Sequence, residues 1–92
     1  MVGQVAVEIA VSTQQSTRDA ITDGVITAKV RAALVEDPIT ASYDIHVETL
    51  AGIVELTGFV ETEVVRVEAL YVTEHIHGVL RVEDSLDVRR LD

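Results

Sequence analysis

His46, His75 and His77, with the carboxylates and hydroxyls near them, are the residues through which this chain could do chemistry. His75 and His77 form an H-x-H spacing beside Glu74. Imidazole and carboxylate together suit zinc or nickel. The pair straddles the end of a predicted helix, however, and positions two apart do not share a helix face. Zinc would need a third ligand to converge on it, and the sequence places none there. The expectation is no metal and no cofactor, with histidine placed where it favours the negative end of a helix dipole. Ser85 and His46 are the candidates for a nucleophile–base pair, but no nucleophile elbow or oxyanion-type glycine turn accompanies them. Gly52 and Gly58 are spaced for a hairpin and open no helix, as a phosphate-cradling loop would. A domain this small also has little room for a deep pocket. The residues predict no enzyme and no catalytic site.

What must position these residues is one small domain. Ninety-two residues bury only about 60–65% of their unfolded surface, so the core is thin and a self-assembly interface would help it. The apolar fraction of 48%, with 25% charged, is that of a folded globular chain. Tyr43, Phe59 and Tyr71 are its aromatics, so Val, Ile, Leu and Ala must build the core. Seven Lys and Arg against sixteen Asp and Glu leave a formal charge of −9. Such a surface repels nucleic-acid phosphates and opposes anionic lipid headgroups. No nucleic-acid partner is expected. Cysteine is absent, which excludes disulfides and thiolate metal sites. No apolar run approaches the roughly 20 residues that span a bilayer. The opening lacks a basic n-region, and Glu8 interrupts its apolar run. The expected location is cytoplasmic if the chain is full length, and periplasmic if it is a mature or excised fragment.

Hydrophobic period supplies the elements. Val5, Val7, Ile9 and Val11 alternate with Ala6, Glu8 and Ala10, the pattern of a half-buried strand. A polar linker, Ser12 to Thr17, follows, so residues 1–17 read as an appendage and residues 18–92 as the domain. Thr22 or Asp23 can cap a helix over about residues 20–36, with Ile26, Val30, Ala33 and Leu34 on one face. Pro38 ends it. Ile45 and Val47 mark a strand, and Leu50-Ala51-Gly52 a short turn. A second strand from Gly52 to Val60 keeps Val54, Leu56 and Val60 in register, completing a hairpin. Thr62 caps a second helix to about Ile76, with Val65, Ala69, Val72 and Ile76 as its core stripe and Gly78 at C′. Leu80, Val82, Leu86 and Val88 alternate in a last strand. The expected class is α+β: a two-layer α-β-β-α-β sandwich, two helices on a three-stranded mixed sheet, with an extra N-terminal strand.

This pattern resembles the BON domain, named for bacterial osmotic-stress and nodulation proteins. The similar residues are Asp23-x-x-Ile26-Thr27, Val30-x-x-x-Leu34, Asp44-Ile45-x-Val47 and Gly52-x-Val54-x-Leu56-x-Gly58-x-Val60. Ala69, Gly78-Val79 and Asp84-x-Leu86-x-Val88 continue it, so it covers roughly residues 20–88. His77 stands where the family usually has proline, and Asp84 where asparagine is common. The resemblance implies a non-catalytic module, often periplasmic, that contacts phospholipid membranes or supports the cell envelope under osmotic stress. One relative with such a domain senses potassium. The family has no shared catalytic residues, and Gly52, Gly58 and Gly78 are structural.

More apolar residues are present than one core can use. Ile53 and Phe59 fall on the strand face opposite Val54, Leu56 and Val60. Val64, Val67 and Tyr71, with Leu70, form a second stripe on the second helix. The strand Val5–Val11 needs a cover as well. Together these predict an interface, most simply a homo-oligomer, with weak phospholipid contact as the envelope-associated reading. The alternative is a homo-oligomeric structural, small-ligand or cation-binding module without membrane contact.

Overall fold

The computed structural model describes residue 20 and residues 22–90. The expected strand carrying Val5, Val7, Ile9 and Val11 lies outside the described residues. Helix α1 runs over residues 22–36. Its apolar positions Ile26, Val30 and Leu34 recur every fourth residue, and all three are buried in one stripe. The helix stops before Pro38, where an Asx turn takes over: Asp37 Oδ1 accepts from the Ile39 and Thr40 N–H groups at 2.8 and 3.3 Å. The buried Thr40 hydroxyl donates to the Leu34 carbonyl at 2.7 Å, satisfying one of the carbonyls a helix end leaves open.

Asp23 corrects the expected cap. It lies inside α1 and is buried, and its carboxylate turns away from its own helix. It accepts from the Ala51 and Gly52 N–H groups at 2.8 and 3.0 Å, tying the first helical turn to the hairpin.

That hairpin joins β1 (His46–Leu50) to β2 (Ile53–Val60), antiparallel, with Leu50 opposite Ile53. Leu50 therefore belongs to the strand, and the turn is Ala51-Gly52 alone, with φ of 52° and 80°. Positive φ at both turn residues matches the right-handed twist of the flanking strands, as in a type I′ turn. Val47, Val54, Leu56 and Val60 point to one face and are buried. Gly58 interrupts this row at φ 132°, where a Cβ would come within 2.8 Å of the Asp44 carbonyl oxygen. The lead-in to β1 passes too close for any side chain there.

Helix α2 (Glu63–Glu74) opens at Thr62, whose side chain accepts from the Val65 N–H. Val65, Ala69 and Thr73 are buried along it. It ends at His75, earlier than expected, because the Ile76 N–H turns back to the Thr73 carbonyl. Gly78 consequently is not the C′ residue. It sits in a β-turn closed by Val79 N–H to Ile76 C=O. Helix α2 then serves as the crossover that parallel pairing requires, and β3 (Arg81–Val88) runs parallel to β2. Leu80 precedes β3 and is exposed, so it does not extend the strand's core row.

The sheet order is β1-β2-β3. Ile26, Val30, Leu34, Val47, Val54, Leu56 and Ala69 form one cluster between both helices and one sheet face, with Val82 and Leu86 against it. Two helices on a mixed three-stranded sheet is the expected α+β architecture. Leu70 packs on this cluster, which moves it from the expected outer stripe to the core.

Candidate functional site

The described residues of the expected interface fall on two surfaces, and the sheet stands between them. The first is the outward side of α2. Val64, Val67 and Tyr71 lie at i, i+3 and i+7 and are 66, 53 and 56% exposed. At the end of this ladder the His75 ring meets Tyr71, with centroids 4.3 Å apart, and His75 Nδ1 donates to the Tyr71 carbonyl at 2.7 Å. This histidine thus closes the last turn of α2 and extends the aromatic end of its exposed stripe. Arg66 points the other way along α2, bonding Glu63 and reaching across to Asp84 on β3. The bonds to Glu63 and then Asp84 hold the guanidinium charged, and the Arg66 partner holds the Glu63 carboxyl below its usual range.

The second surface is the outer face of the sheet, and register decides its layout. His46, Thr57 and Ser85 form one row across the three strands. Glu48, Glu55 and Glu83 form the next, then Leu50, Ile53 and Arg81. Phe59 pairs with Asp87 at the far end, and Arg89 stacks over its ring at 4.4 Å. A concavity of about 650 Å³ follows β1 from this face toward α1, lined among others by Thr27, Glu48, Leu50, Ile53, Glu55 and Glu83.

Ile53 and Phe59 therefore share a face with each other but not with Val64, Val67 and Tyr71. They also stand at opposite ends of β2, about 20 Å apart at a strand's rise per residue. Ser85 and His46 share a row yet are separated by Thr57, about 10 Å across two strand spacings, too far for a nucleophile and its base. Among the described residues no three His, Asp or Glu side chains converge as metal ligands. His46 Nε2 lies 3.4 Å from Glu48, two residues along its own strand. No described helix is long and apolar enough to cross a membrane.

The glutamate row is the feature that sequence reasoning missed. Its signal was present: each glutamate falls on the polar side of an alternating strand. Only the pairing register reveals that all three stand side by side.

A family model described as "BON domain" matches residues 22–90, which includes every element above. "Osmotically-inducible protein Y" of Escherichia coli (strain K12) is 46% identical over 67 residues, covering 73% of this chain. The aligned region spans 33% of that relative's own length.

Proposed function

The chain belongs to the BON domain family, and on that footing we propose that it is a non-catalytic binding module of an osmotic-stress response that engages phospholipid surfaces through α2. The observation that carries this reading is the exposed ladder of Val64, Val67 and Tyr71 on a helix whose opposite stripe is already buried. The name of the E. coli relative ties that protein to osmotic induction, and the reading extends this to the chain. A formal charge of −9 opposes anionic headgroups, so contact rests on apolar insertion, with Tyr71 suited to the polar–apolar boundary.

Co-sedimentation with phosphatidylcholine vesicles tests it. Binding that disappears in Val67→Asp supports the reading, and a chain that stays in solution at every lipid concentration sinks it. The same ladder supports a second reading, in which another copy of the chain covers it as a two-fold dimer. Light scattering separates the two: a dimer without lipid, dissociated by Val67→Asp, would favour assembly over membrane contact.

A further inference from the structure

We propose that the outer sheet face is a second docking surface, and that its occupant is a basic, amphipathic polypeptide segment of a partner protein. Glu48 stands opposite Glu55, and Glu55 opposite Glu83, so three carboxylates cross the sheet in a single row. Like charges directly opposite one another destabilise a sheet. Their neutralisation among the described residues is partial. Arg81 reaches Glu83 at 3.0 Å and the His46 imidazole lies 3.4 Å from Glu48. Among the described residues, the central, half-buried Glu55 has only the Ser85 hydroxyl, at 3.5 Å.

The row is bracketed by apolar groups. Leu50 and Ile53 lie toward the hairpin turn and Phe59 toward the other end, with Leu50 and Phe59 78 and 60% exposed. The face thus reads apolar, acidic, apolar along about 20 Å of strand.

Charge complementarity selects the occupant. A purely apolar cover would desolvate three carboxylates and supply no cation to offset them, which is costly. A second copy of this face would bring the same carboxylates, and an anionic lipid or nucleic-acid surface would be repelled. A segment with Lys or Arg at its centre and Leu-like residues toward its ends meets each requirement. Arginine could also pair in the bidentate manner that carboxylates favour. This surface uses no residue of the α2 ladder, so it stands or falls apart from the lipid reading.

The test is an NMR titration of the isotopically labelled full chain. The probe is a synthetic peptide of about 14 residues, with leucines at its ends and arginines between, which as a helix spans about 20 Å. The control replaces its arginines by glutamates, and phosphatidylglycerol vesicles form a separate arm. The expected result is saturable shifts along β1 and β2 and at Glu83, with binding that weakens severalfold as salt rises from about 0.05 to 0.3 M. Combined Glu48→Gln, Glu55→Gln and Glu83→Gln, which removes three charges, should weaken it at least about tenfold. Glu55→Gln alone should weaken it a few-fold, which keeps the test sound if the triple variant fails to fold. Val67→Asp should leave it unchanged. No shifts, equal binding of the glutamate peptide, shifts confined to α2, or vesicles perturbing this face in place of the peptide would each overturn the proposal.

Discussion

The carboxylate of Asp23 bonds the Gly52 N–H at 3.0 Å, and with its other oxygen the Ala51 N–H at 2.8 Å. One side chain of α1 thereby fixes both residues of the β1–β2 turn, and the helix and the hairpin cannot move independently there. Thr27 on α1 and Thr49 on β1 add a hydroxyl bond of 2.8 Å beside it.

Asp23→Ala should cost about 2–3 kcal/mol, since it leaves two turn N–H groups without their charged acceptor. Asp23→Asn keeps one acceptor oxygen and should lie between. Urea denaturation midpoints check both. A loss in Ala no larger than that of an ordinary surface change would mean that water replaces the carboxylate at no cost.

Ala51 holds φ at 52°, a conformation that costs an L-residue about 1–2 kcal/mol. Glycine adopts it freely but loses more freedom on folding. Ala51→Gly should therefore raise stability by about 0.5–1 kcal/mol, and Ala51→Val should lower it. Thermal melts of the two variants should move in opposite directions.

Gly58→Ala should destabilise by about 1–3 kcal/mol, because the new Cβ meets the Asp44 carbonyl at 2.8 Å and φ is 132°. Leu56→Ala, at a fully buried neighbour on the same strand, should cost about 2–4 kcal/mol through lost burial and a cavity. If Gly58→Ala unfolds at the parent's midpoint, the Asp44 backbone moves more easily than the close approach implies.

Asp37, after α1, and Glu68, on α2, share a carboxyl–carboxyl hydrogen bond. It pushes Glu68 above its usual 4.5 and holds Asp37 below its usual 3.8. The raised group stabilises the fold at low pH, an effect lost as pH rises through its folded pKa. The lowered group does the reverse, stabilising above its unfolded value and losing this as pH falls. When both are ionised they repel. Glu68→Gln should therefore stabilise at neutral pH, with the gain shrinking in acid as pH falls through the raised folded pKa of Glu68. Unfolding midpoints at neutral and acid pH check this; a gain that grows on acidification would reverse the sign.

Much of this fold was legible because local pattern and tertiary position agree. Val54, Leu56 and Val60 alternate in the chain and lie on one buried face. Ile26, Val30 and Leu34 recur at helical spacing and fill the opposing layer. Thr62 caps α2 as its type and position suggest. Asp23 misled because a carboxylate at a helix start looks like a cap, while its real partners are a turn far along the chain. Gly78 misled because the helix closes earlier, through a tightened turn at His75 that no residue type announces. The candidate surfaces were only half legible. Alternation puts Ile53 and Phe59 on the outer face, but register alone brings Glu48, Glu55 and Glu83 together.

Among the described residues, the order β1-β2-β3 leaves each flanking strand with a row of backbone donors and acceptors that pairs with no further strand. Such rows are templates for runaway pairing between molecules. On β3 Arg81, Glu83 and Asp87 fall between the core-side positions, and on β1 Glu48 stands beside His46. A second molecule approaching edge to edge would have to bring these carboxylates together out of water. The polar residues between the core positions of β1 and β3 thus oppose runaway edge-to-edge pairing between molecules.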